Sequence, residues 1–71
     1  MEHSSSEGGR RRSEIARGKI DDLIERLRAD IPSLEDPQAR ALFEVSAEAL
    51  GGLSKAFADY ERRSEPAWRG S

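Results

Sequence analysis

Apolar residues recur at spacings of three and four positions in two separate stretches of the chain, which predicts two amphipathic helices. Ser13 is the predicted N-cap of the first helix, and Pro32 disfavours helical backbone at the residue before it. The first helix is therefore expected over about residues 13–31. Its apolar stripe consists of Ile15, Ala16, Ile20, Leu23, Ile24, Leu27 and Ile31.

The second stretch begins with a strong helix start signal. Asp36 can accept hydrogen bonds from free backbone amides, and Pro37 suits the first helical position because it has no N–H to leave unpaired. Pro66 follows the stretch, so the second helix is expected over about residues 36–64. A heptad frame with Phe43 at position a predicts a core of Leu27, Phe43, Leu50 and Leu53, with Glu44 and Glu48 facing water.

Gly51 and Gly52 interrupt the middle of this second helix, at an expected cost of about 2 kcal/mol relative to two alanines. They could be a tolerated pair on the solvent side, a kink, or a point where a neighbouring backbone approaches closely. A complete break is a further alternative. The apolar spacing continues in phase from Leu50 to Leu53 and Phe57, which favours one continuous helix.

The connection between the two helices is too short for anything except a tight turn, and this makes the helices antiparallel neighbours. The predicted fold class is all-α, with a two-helix hairpin at 13–64. Residues 1–12 have no hydrophobic residue after Met1 and contain three consecutive arginines, so they are expected to form a disordered basic arm. Residues 65–71 form a C-terminal tail.

A chain of 71 residues without cysteine rarely forms a stable core alone, which predicts a homodimer, most simply a four-helix bundle. About the predicted turn, residue i pairs with residue 68 − i, so that Phe57 and Tyr60 meet Arg11 and Gly8 and lack apolar cover. Trp68 could fold back on the bundle or anchor a partner. The predicted interface residues are Leu42, Ala49, Leu53, Ala56, Phe57, Tyr60 and Trp68.

A hairpin would place the two chain ends side by side. Many basic residues lie near those ends, so one end of the hairpin would be basic. Phosphate contacts from this basic end would make the protein a nucleic-acid-associated regulator. The net charge of −2 and the lack of aromatic residues between the arginines disfavour that hypothesis. The possible nucleic-acid contacts are Arg10, Arg11, Arg12, Arg17, Lys19, Arg62 and Arg63.

The residues that most enzyme mechanisms require are not arranged in a recognisable pattern. The lone histidine, His3, lies in the predicted arm, no phosphate loop or zinc spacing occurs, and we predict no catalytic, cofactor or metal site. No apolar run could span a membrane, and a cytoplasmic protein is expected. The predicted function is a non-enzymatic protein-interaction module, a homodimeric adaptor or regulator. An accessory subunit of a larger enzyme complex is the remaining alternative.

Overall fold

The computed structural model describes the backbone of residues 2–70 and the side chains of residues 8–63. This part of the chain consists of two α helices, α1 (Glu2–Asp30) and α2 (Pro37–Gly70), joined through a 3₁₀ turn at Ile31–Ser33. It contains no β strand, so the prediction of an all-helical protein with two helices is confirmed.

The turn between the helices follows the predicted capping chemistry. The Asp36 carboxylate accepts a hydrogen bond from the backbone amide of Gln38 at 3.1 Å, and the Asp36 carbonyl accepts one from the amide of Arg40 at 3.0 Å. Asp36 is therefore the N-cap of α2, with Pro37 at the first helical position. At the other side of the turn, α1 ends at Asp30, two residues before Pro32.

Both helices extend beyond their predicted boundaries. α1 begins at Glu2, so that residues 8–12, predicted to belong to a disordered arm, are helical, and Ser13 lies inside the helix instead of capping it. Residues 8–12 have a packing partner near the end of α2, since the Tyr60 hydroxyl lies against Gly9. The sequence prediction did not anticipate this contact. α2 continues to Gly70, past Pro66. The side chains of residues 2–7 and 64–70, and the whole of Met1 and Ser71, lie outside the described residues.

α2 runs through Gly51 and Gly52 without interruption, which confirms the prediction of one continuous helix. Neither glycine has a positive φ. A Cβ atom added at either position would meet no atom within 4 Å among the described residues. The hairpin itself therefore requires glycine at neither position.

The two helices run antiparallel, because α1 contacts α2 from Gly9 beside Tyr60, through Ser13 beside Glu61, to Asp21 beside Ser54. The face of α2 turned toward α1 is not the one predicted. Its residues lie at heptad positions a and e, and they are buried or half-buried: Phe43, Ala47, Leu50, Ser54, Phe57 and Glu61.

Leu53, predicted as core at position d, is 51% exposed, whereas Ala47 is completely buried. The polar groups explain this rotation of the helix, since Ser54 and Glu61 are held toward α1 by hydrogen bonds and therefore turn position d outward. Of the other predicted core residues, Leu27, Phe43 and Leu50 are half-buried, and Glu44 and Glu48 are exposed as predicted.

Candidate interaction surface

The seam between α1 and α2 has two chemically different sides. On one side, polar side chains bridge the two helices. On the other side, apolar side chains of α2 remain exposed beside an open groove. The polar side holds the hairpin together, and the apolar side is left without cover by α1.

The polar side centres on Glu61, whose side chain is only 9% exposed. Its carboxylate accepts a hydrogen bond from the Ser13 hydroxyl at 2.6 Å. Two nitrogens of Arg17 donate to the same carboxylate. Nη2 donates to Oε1 at 2.7 Å, and Nε lies 3.1 Å from Oε1 and 3.2 Å from Oε2. A buried carboxylate with a two-nitrogen arginine partner is a strong geometry for a charge pair, and it fixes the register of the two helices.

A second bridge lies two turns further along the seam. The Ser54 hydroxyl donates a hydrogen bond to the Asp21 carboxylate at 2.6 Å. This bond and the contacts of Glu61 lie on the polar side of the seam, in the half nearer the chain ends. They hold α1 to α2.

The environment of Glu61 lowers the pKa of its carboxyl group below the ordinary value of 4.5. The hydrogen bond from Arg17 is the largest cause and the hydrogen bond from Ser13 is the second; burial acts in the opposite direction. The same hydrogen bond raises the pKa of Arg17, so its charge is present at every pH at which the protein is studied.

We predict that Glu61 makes folding sensitive to acid. Since its folded-state pKa lies below its unfolded-state value, its contribution to stability is fully present above about pH 4.5. That contribution is lost as the pH falls from there through the folded-state pKa. Urea unfolding of wild type and Glu61→Gln between pH 6 and pH 3 measures it. The difference between their free energies of unfolding should shrink below pH 4.5, and a pH-independent difference would exclude this role for Glu61.

The apolar side of α2 carries a row of exposed hydrophobic residues, which we call the apolar face. Leu42 is 62% exposed, Val45 63% and Tyr60 46%, and Leu53 lies between them along the helix. Leu42 is eleven residues from Leu53 and eighteen from Tyr60, which is close to three and five helical turns, so these three share one direction. The apolar face consists of Leu42, Val45, Ala49, Leu53, Ala56 and Tyr60, all exposed.

A groove of about 580 Å³ runs between the helices beside the apolar face, near the open end of the hairpin. Leu53, Ala56, Phe57 and Tyr60 of α2 form one wall. The other wall belongs to α1 and consists of Gly9, Arg12, Ser13 and Ala16. The groove makes the apolar face a concave surface at one end, where a side chain from a partner could insert.

Of the predicted interface residues, five are exposed and lie on the apolar face, and Phe57 is half-buried between the seam and the groove. The side chain of Trp68 lies outside the described residues. Whether these residues meet a partner stays a prediction. Val45, which sequence reasoning missed, belongs to the same surface.

The residues predicted to contact nucleic acid are divided between free surface and internal pairs. Arg17 is committed to Glu61, and Arg10 pairs with Glu14 at 3.6 Å. The other members of the set are exposed: Arg11, Arg12, Lys19, Arg62 and Arg63. One of them, Arg62, pairs with Asp59 at the surface. The hairpin thus withdraws Arg17 from the predicted basic surface.

Sequence reasoning also missed the buried Glu61. Its position seven residues after Ser54, in phase with Leu50 and Phe57, was the available signal. Glu61 itself was given no role. Its two partners, Ser13 and Arg17, were given other roles, as an N-cap and as a possible phosphate contact.

Within the described residues, no group of three or more histidine, cysteine, aspartate or glutamate side chains is placed to hold a metal ion. Neither helix has, over its described residues, a segment long and apolar enough to cross a membrane. No family model matches the sequence, and no curated protein or solved structure shows significant similarity to it.

Proposed function

We propose that this protein is a homodimeric protein-interaction module in which the apolar face of α2 binds a second copy of the chain. The observation that carries the proposal is the exposure of large hydrophobic residues along one direction of α2, ending beside an open apolar groove. Exposed residues arranged in one stripe indicate an interaction site, whereas scattered ones do not.

The weakness of the internal core supports the same proposal. Among the described residues, Ala47 is the single fully buried apolar residue, and no large side chain is completely buried. A chain of this size seldom gains more than about 3–5 kcal/mol from one core, and this hairpin completes none. Two copies that pack their apolar faces together would remove from water the residues that each hairpin leaves exposed, as in a four-helix bundle.

An adaptor or regulator is the role that such a dimer serves most directly, since its described part offers binding surface in place of reactive groups. The two hairpins would present their remaining surfaces in a fixed geometry set by the pairing of α2 with its partner. Cytoplasmic location and the identity of any further protein partner stay predictions.

We predict that thermal unfolding depends on protein concentration. If folding and dimerisation are coupled, mass action stabilises the folded dimer as concentration rises. With about 2.1 cal/mol/K of unfolding entropy per residue over two chains, a tenfold rise in concentration should raise Tm by about 4–5 °C. Circular dichroism melts at about 5 and 50 µM measure this shift, and superimposable melts would contradict coupled folding.

The nucleic-acid hypothesis remains the second candidate because five of its predicted basic residues are exposed. Binding through phosphates should weaken as salt rises, with a slope of log K against log salt near −0.9 for each phosphate neutralised on duplex DNA. Replacement of Arg11 and Arg12 by serine should flatten that slope by up to about 1.8 units. Anisotropy titrations in about 50 mM salt that find no binding tighter than about 10⁻⁴ M would remove the hypothesis.

A further inference from the structure

The two ends of the hairpin carry opposite charge. Residues 2–19 and 55–70, at the open end, contain nine basic and six acidic residues and form what we call the basic end. Residues 20–48, around the turn, contain eight acidic and three basic residues and form the acidic end. Residues 49–54, midway along the apolar face, are uncharged. The hairpin is therefore an elongated body with about three net positive charges at the open end and about five net negative charges around the turn.

The apolar face is nearly symmetric about its middle. Its outermost large residues are Leu42 and Tyr60, and the position halfway between them is residue 51. Near this midpoint the exposed side carries the small residues Ala49 and Gly52 and the large residue Leu53, and a two-fold axis there would set Leu53 of one copy opposite Ala49 of the other. A two-fold axis beside the midpoint would bring Leu42 of one copy to Tyr60 of the other, which is the self-complementary arrangement that a C2 dimer requires.

We infer that two copies pair with their α2 helices antiparallel, about a two-fold axis beside Gly51 and Gly52, so that each basic end lies against the acidic end of the other copy. This inference rests on the proposed dimer and adds its alignment. Parallel pairing would place two basic ends together and two acidic ends together, and like charges in one place disfavour association. Charge complementarity and the symmetry of the apolar face thus favour the same arrangement.

The antiparallel arrangement also accounts for Gly52. This residue is exposed, has no positive φ and has open space around it, so nothing within the hairpin favours glycine there. At the centre of a helix pair, a residue without a side chain lets the two backbones approach closely. Gly51 has the same open space but lies about 100° around the helix, away from the apolar face, and it is therefore the matched control.

Spin labels test the alignment directly, and the chain has no cysteine that would compete for them. Ala41 is exposed and ten residues from the proposed axis, so labels at Ala41→Cys should be about 30 Å apart in the antiparallel dimer, given a rise of 1.5 Å per residue. In a parallel dimer they would be under about 20 Å apart, set by the spacing of adjacent helices plus the labels. Labels at Lys55→Cys, four residues from the axis but pointing away from the apolar face, should give a similar intermolecular distance in either alignment and therefore report the dimer alone.

The pair of labels separates failure of the alignment from failure of the dimer. An intermolecular distance at Lys55 together with about 30 Å at Ala41 is the expected result. A distance under about 20 Å at Ala41 would overturn the antiparallel inference and leave the dimer in place. No intermolecular distance at either position would overturn the dimer itself.

The two glycines give an independent test that needs no label. Gly52→Ala should weaken dimerisation tenfold or more, because an added methyl group at a close helix contact overpacks it. Gly51→Ala should leave dimerisation unchanged or strengthen it, since alanine favours helix at an open position. Sedimentation equilibrium measures both. Equal dimerisation constants for the two variants would show that Gly52 does not lie at the contact and would overturn the placement of the axis.

Discussion

Replacement of Leu53 by glutamate is expected to convert the protein to a monomer and to reduce its helix content. Leu53 is 51% exposed in the hairpin, so a single hairpin would tolerate a charged residue at this position with little loss. In the proposed dimer, each copy would lose the burial of a leucine, worth roughly 1.5–3 kcal/mol, and would place a carboxylate in an apolar contact. Over two copies the loss amounts to a weakening of dimerisation by roughly 10²–10⁴-fold.

Lys55→Glu is the matched control for this variant. Lys55 is two residues from Leu53 on the same helix, is exposed, and points about 160° away from it. The control also introduces a glutamate and changes the net charge by more than Leu53→Glu does. It should remain dimeric. If the two variants had equal masses by light scattering and equal helix content, the apolar face would not be the contact surface.

Truncation of the seam is expected to have the second largest effect. Leu50→Ala and Phe43→Ala remove half-buried side chains that lie between α1 and α2, and each should lower the free energy of unfolding by about 2–5 kcal/mol. A loss of that size unfolds a chain whose total stability is of similar magnitude.

The exposed residues Glu44 and Glu48 serve as controls for this second series. Their replacement by alanine should change the free energy of unfolding by no more than about 0.5 kcal/mol. Urea denaturation followed by circular dichroism gives the order of the variants. If Glu48→Ala destabilised the protein more than Leu50→Ala, the assignment of Leu50 to the seam would be wrong.

The number, type and order of the helices could be predicted from the sequence because each depends on local signals. Asp36 and Pro37 specify the start of α2 through their own backbone chemistry, and Pro32 limits α1 at the turn. The continuity of α2 through its two glycines followed from the phase of the apolar residues on both sides.

The side of α2 that meets α1 could not be predicted in the same way. Most large apolar residues of this helix occupy positions a, d and g, so residue type favoured Leu53 at position d over Ser54 at position e. The structure selects position e because Ser54 and Glu61 find partners on α1 at 2.6 Å. Hydrogen bonds between residues 33 and 48 positions apart are not visible in local periodicity.

The width of the apolar sector of α2 allowed most of the candidate surface to be predicted. A helix with more apolar surface than one partner can cover indicated a second contact, and most of the predicted interface residues are exposed along one direction. Val45 was missed because it lies outside the heptad frame that was applied. The start of α1 was missed because residues 8–12 are polar, and their packing beside Tyr60 depends on the other helix.

Sedimentation equilibrium of the wild-type chain at micromolar concentration tests the central claim most directly. The account predicts a helical species with twice the 7.9 kDa mass of one chain, in equilibrium with a less helical monomer on dilution. A species of 7.9 kDa that stays fully helical across that concentration range would show that the hairpin is stable with its apolar face exposed, and would contradict the account.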